Sequence, residues 1–170
     1  MSLPPGRGLL LWGGVGVGKT YALAAWIRFV LCTGGPEKRL SPDVRVCDGW
    51  GGLRSYKVER ISFADVLLKI RGTFDGGGSE ERVLADYRNC GLLVLEDLGT
   101  AVSGGASESD FSVRILEGLL DYRLEHGLPT FVTSNKSPDE LGKSFDERIA
   151  SRLAAACEFV AVKGRDRRRQ

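Results

Sequence analysis

An α/β fold, with a central parallel five-stranded sheet and helices on both faces, is what this sequence predicts. Strand-like runs alternate with helical patterns along the chain, and that alternation implies strand–helix–strand units. Gly8–Trp12 and Leu92–Leu95 are continuous apolar runs of buried-strand length, too short for confident helices. Every candidate motif falls at or just beyond the end of such a run, and sheets of this kind hold ligands beyond the carboxyl ends of their strands.

The elements follow in order. Gly8–Trp12 is the first strand, and after a glycine-rich loop Lys19–Leu31 is a mostly apolar helix. Residues 34–57 hold Pro36, Pro42 and several glycines, and are expected to form an irregular excursion around one short strand, Val44–Val46. Val58–Phe63 alternates like a strand. Ser62 then caps a helix to Arg71, with Asp65 at the position of a capping-box acid. Gly76–Gly78 breaks the chain, and Ser79 caps a helix ending near Asn89. Leu92–Leu95 is a strand ending in Glu96-Asp97, followed by a Gly- and Ser-rich loop over 98–109. Asp110–His126 is an amphipathic helix stopped by Gly127. Thr130–Thr133 is a strand, Ser137-Pro138 opens a short helix, Ser144–Cys157 is helical, and Glu158–Val162 is the last strand.

With 170 residues, 42% apolar and 27% charged, the chain has the length and composition of one soluble domain. The net charge of +2 is uneven: Lys163–Arg169 holds five basic residues and Asp166, a net of +4 that leaves −2 elsewhere. Such a basic tail (163–170) suits phosphate backbones or open solvent. The four cysteines (Cys32, Cys47, Cys90, Cys157) form no C-x-x-C pair. We read them as reduced and the compartment as cytoplasmic. No apolar run reaches membrane-spanning length.

Gly13, Gly14, Val15, Gly16, Val17, Gly18, Lys19 and Thr20 match G-x-x-x-x-G-K-S/T between a predicted strand and a predicted helix, the context a P-loop requires. The glycines let backbone N–H groups turn around phosphate oxygens at a helix N-terminus. Lys19 would neutralise the β- and γ-phosphates of ATP, and Thr20 would offer its hydroxyl to Mg²⁺. The strand ending in Glu96 and Asp97 supplies the acids of a P-loop NTPase site, one toward the metal and one toward the attacking water. Which acid holds the metal stays open. If Phe131–Ser134 lies between the first strand and the acid-bearing one, Asn135 reaches between phosphate and water.

In that order the P-loop, Glu96-Asp97, Thr133–Asn135 and "ERIASRL" (147–153) resemble AAA+ ATPases. The pattern is similar to bacterial replicative helicase loaders of the DnaC/DnaI type and to their relatives, the IstB-type transposition helper ATPases. It extends over "ISFADVLLKIRGTF" (61–74) and into "GRDRR" (164–168). The resemblance implies a P-loop NTPase three-layer core with the lid reduced or absent, beginning about a dozen residues before the P-loop and so without the loaders' amino-terminal helicase-binding domain. It implies ATP hydrolysis, self-association into a ring or helical oligomer, and a replicative DNA helicase and single-stranded DNA as partners. Arg152 would be the arginine finger given to a neighbouring subunit, Arg148 its support, and Arg168 a terminal arginine near the nucleotide. Lys69, Arg71 and Phe74 would contact DNA. Glu96-Asp97 departs from the more usual Asp-Glu or Asp-Asp order. A duplex-binding transposition helper, or a nucleotide-dependent binding module with little hydrolysis, are the alternative functions. A small-molecule kinase would leave Asn135, Arg148 and Arg152 without a role.

Overall fold

The structure, a computed structural model, describes residues 6–32, 43–47, 53–100 and 108–166. Chain order is β1 (Gly8–Trp12), α1 (Lys19–Cys32), β2 (Asp43–Cys47), β3 (Leu53–Ser62), α2 (Phe63–Arg71), a π-helical turn (Thr73–Gly77), α3 (Glu80–Asn89), β4 (Leu92–Leu98), α4 (Asp110–Glu125), β5 (Thr130–Ser134), α5 (Pro138–Ser144), α6 (Glu147–Ala156) and β6 (Cys157–Ala161). The sheet order is β2-β3-β4-β5-β1-β6. The five strands from β3 to β6 in that order are mutually parallel, as expected. β5 lies between β1 and β4.

Burial alternates along the strands. Leu10, Leu93, Leu95 and Val132 face one core with side chains of α2, α3, α4 and α6. Leu9, Leu11, Val94 and Phe131 face the other, with Leu23 and Trp26 of α1. Helices thus cover both faces of the sheet, and each buried Leu or Phe contributes about 1.5–3 kcal/mol relative to exposure.

Three local expectations are corrected. β2 is antiparallel to β3, and β3 starts at Leu53 rather than Val58. Leu53–Lys57 pairs with β2, while Val58–Ser62 pairs with β4. The excursion therefore contains a hairpin, because partner hydrogen bonds rather than apolar alternation hold Leu53–Lys57 extended. Residues 34–42 and 48–52 of that excursion lie outside the described residues. Second, Asp65 does not complete a capping box. Its backbone N–H donates to Ser62 Oγ at 3.1 Å, but its carboxylate accepts from the Ser62 hydroxyl at 2.7 Å. The full box forms instead at Ser137 and Glu140. Third, the segment 144–157 is not one helix: α5 ends at Ser144, and Asp146 caps α6 by accepting from Ile149 N–H at 2.8 Å.

Candidate functional site

At the carboxyl ends of β1, β4 and β5, a cleft of 690 Å³ is lined by Val15, Gly16, Gly18, Lys19, Thr20, Tyr21, Ala24, Asp97 and Asn135. That volume is ample for a small-molecule ligand. β1 ends at Trp12 and the loop 13–18 wraps to the start of α1. Gly16 and Gly18 adopt φ of +74° and +93°, conformations in which a side chain is strained. Lys19, 7% exposed as a residue, donates from its ammonium to Gly13 O and Gly14 O at 2.8 Å each and to Asn135 Oδ1 at 2.6 Å. The sequence separation of Lys19 and Asn135 is thus closed by β5 lying beside β1.

The two acids part company. Between Leu95 and Leu98, β4 advances three residues while β5 advances two, from Val132 to Ser134. This is a bulge, which re-aims side chains in a strand. Asp97 sits in it at φ +53°. Its N–H donates to Thr133 Oγ1 at 3.1 Å, and Ser134 Oγ donates to Leu98 O at 2.7 Å. Two β5 hydroxyls therefore pair backbone groups in and beside the bulge, which buried polar groups require. Asp97 lines the cleft. Glu96 turns to β3, where Arg60 Nη2 holds its Oε2 at 2.9 Å, and lines a separate depression with Ser62, Asp65 and Lys69. Its other oxygen, Oε1, is buried without a hydrogen-bond partner.

Arg152 lies on α6 against acids of α4. It donates to Asp121 from both Nε and Nη2, and its Nη2 is 3.0 Å from Glu117 Oε1. The bond to Asp121 raises its pKa beyond the ordinary arginine value. Arg148, mostly exposed, is 3.5 Å from Asp146 and 4.0 Å from Glu117. Neither arginine lines the cleft of its own chain. Arg168 lies outside the described residues.

Around the segment expected to touch DNA, the structure gathers side chains from α4. Phe74, 64% exposed, meets Phe111 edge-on at 6.0 Å between centroids. The guanidinium groups of Arg71 and Arg114 lie 5.7 and 5.4 Å from the Phe111 centroid, within cation–π range. Lys69 instead donates to Tyr87 Oη at 2.8 Å, which raises its pKa. Phe111 and Arg114, Arg60, and the hydroxyl of Thr133 are contacts of the candidate residues that sequence reasoning did not assign. Only the strand register and the fold of α4 over the π-turn bring them in. Among the described residues, no helix is long and apolar enough to cross a membrane.

No family model matches the chain. The replicative helicase loader DnaC of Escherichia coli (strain K12) is 31% identical over 102 residues, which cover 59% of this chain and 40% of that protein. The replicative helicase loader DnaI of Bacillus subtilis (strain 168) is 27% identical over 165 residues, covering 92% of this chain and 45% of that protein. The matched segments thus span less than half the length of these relatives. The crystal structure of the DnaC helicase loader superimposes with a TM-score of 0.69 at 20% identity, covering 96% of this chain and 82% of that one, a likeness of fold. Sequence similarity and fold together support an AAA+ core of the DnaC/DnaI type.

Proposed function

We propose that this chain is the ATPase core of a replicative DNA helicase loader, and that it hydrolyses ATP in a site completed by a second copy. The observation that carries this reading is the cleft in which Lys19, Thr20, Asp97 and Asn135 converge. The loop glycines would cradle the phosphates. Lys19 would exchange its carbonyl partners for β- and γ-oxygens, and Asn135 would orient the γ-phosphate and water. Mg²⁺ fits the Thr20 hydroxyl and the Asp97 carboxylate, both hard oxygen donors facing one cleft; when bound it would offset phosphate charge. The similarity to DnaC and DnaI supports a replicative helicase as partner. Exposed Phe74 and the arginines around Phe111 suit single-stranded DNA, whose bases stack on aromatic rings and whose phosphates attract cations.

Arg152 would act in trans. Asp121 and Glu117, two singly charged acids, hold Arg152 in partly exposed pairs, which a neighbour's more highly charged triphosphate can outcompete. Turnover per chain should therefore rise with protein concentration and rise again with single-stranded DNA. Arg152→Ala should lower the assembled rate by roughly a thousandfold, the worth of such a finger in other NTPases, with ATP affinity kept. A variant as active as the parent at assembling concentrations would remove the finger assignment.

The acids make a second prediction. Asp97→Asn should cut turnover by on the order of a hundredfold or more, because it removes the carboxylate of the cleft that would hold Mg²⁺, an ion worth several kcal/mol to such reactions. Glu96→Gln should cost less than about tenfold, because Arg60 keeps Glu96 out of the cleft. Equal losses would mean that Glu96 swings inward during the reaction. The same Arg60–Glu96 pair favours a second reading, a nucleotide-dependent binding module with little hydrolysis. Tight ATP binding with no turnover, even with helicase and single-stranded DNA present, would select it.

A further inference from the structure

After β6 the chain stays on the molecule and runs along the phosphate loop. Val162 N–H donates to Trp12 O at 2.7 Å, which prolongs the ladder with β1. Its carbonyl then presses on Gly13, where an added Cβ would lie 2.2 Å from that oxygen. Two residues later Gly164 approaches Val17, with 3.9 Å between an added Cβ and the Val17 Cβ. The strap then meets Gly16, where an added Cβ would lie 1.8 Å from Asp166 Oδ1 and 2.4 Å from its Cγ. The Asp166 carboxylate therefore rests directly on the main chain of a cleft-lining residue.

A phosphate loop is the least suitable place for a carboxylate if its ligand is an anion. The inward N–H groups of such a loop and the start of the following helix attract negative charge, and here the chain supplies negative charge of its own. An incoming polyphosphate must wrap the same loop within a few ångströms of Asp166, in a cleft where water screens incompletely. We propose that Asp166 is an affinity-setting residue of the nucleotide site, a tethered anion that competes with the phosphates and is displaced, with strap 162–166, when they bind. The inference rests on the reading of this cleft as a nucleotide site. It gives the carboxyl-terminal segment a role in how readily that site fills, with the opposition growing with the charge of the ligand.

Titration calorimetry on the full chain, with ATP, AMP and inorganic tripolyphosphate as probes, tests it. Asp166→Asn and Asp166→Ala should each bind ATP and tripolyphosphate roughly tenfold more tightly, the scale expected for removing one like charge at this range in a partly screened site. AMP should gain clearly less, and the gain for all three should shrink as salt rises. Unchanged or weakened binding in both variants overturns the proposal, as does an equal gain for AMP and ATP, which a merely structural loosening would produce. Lys19→Ala separates the two levels. If it loses tripolyphosphate while Asp166→Asn gains nothing, the site stands and the competitor role falls. If parent, Lys19→Ala and Asp166→Asn all fail to bind, the nucleotide site itself falls and this role with it.

Discussion

Lys19→Ala is expected to weaken ATP binding by roughly ten- to two-hundredfold, the equivalent of about 1.5–3 kcal/mol for hydrogen bonds to a charged group. Stability should change by no more than about 1 kcal/mol, since the acceptors left behind remain within reach of water. The reason lies in what Lys19 touches. Its ammonium holds two carbonyls at the start of the phosphate loop and the side-chain oxygen of Asn135. All three lie at the mouth of an open cleft, so solvent can replace the lysine there. A bound triphosphate has no such substitute, because the charge that offsets it would be missing. Equilibrium binding and urea unfolding on the same variant give the two numbers. A large loss of stability with little loss of affinity would make Lys19 a structural staple between β1 and β5 rather than a phosphate ligand.

The glycine-rich loop was readable because it is local: eight consecutive residues set its conformation between β1 and α1. The strand order needed more, yet the placement of Phe131–Ser134 between β1 and β4 follows once Asn135 must reach Lys19. What could not be read depends on register. Nothing in "LEDLG" (95–99) announces a bulge, since its cause is two hydroxyls, Thr133 and Ser134, on the neighbouring strand. Strand alternation alone sends Glu96 and Asp97 to opposite sides, and the bulge then sets how Asp97 is aimed at the cleft. Arg60 stands opposite Val94 in the ladder and reaches diagonally to Glu96, a partnership across 36 residues of chain with no motif to mark it. The hairpin of β2 and β3 was hidden for a related reason. Glycines and prolines on its flanks read as breakers, while the hydrogen bonds that hold it come from the other strand. Asp146 likewise has two roles that no motif marks: one oxygen caps α6 and the other lies 3.5 Å from Arg148.

Arg123→Ala is expected to be the most destabilising single change here, at about 3–5 kcal/mol, since several buried acceptors each lose a hydrogen bond from a charged donor, worth about 1.5–3 kcal/mol apiece before relaxation. The side chain is 1% exposed and, among the described residues, has no carboxylate against it. Its guanidinium instead donates to the carbonyls of Tyr87 at 2.8 Å, Arg88 at 3.1 Å, Cys90 at 2.8 Å and Pro129 at 2.7 Å, and to Thr130 Oγ1 at 2.9 Å. Tyr87 and Arg88 belong to the last turn of α3, whose carbonyls have no partner within the helix, and the negative end of the helix dipole favours a cation there. Burial lowers the Arg123 pKa from its ordinary value, yet an arginine stays charged in proteins. Removing it strands several buried acceptors at once. Arg123→Lys should recover part of the loss, because an ammonium offers three donors from one point and cannot span a planar fork of acceptors. Urea unfolding with an unchanged m-value would measure both, and a loss below about 1 kcal/mol for the alanine variant would mean that water replaces the guanidinium. The junction also bears on the site. Arg123 ties the starts of β4 and β5, the two strands whose far ends carry Asp97 and Asn135. If those strands are rigid levers, folded Arg123→Lys should keep the nucleotide affinity of the parent and lose only stability. A fall in affinity beyond its unfolded fraction would show instead that strand position at the base is transmitted to the cleft.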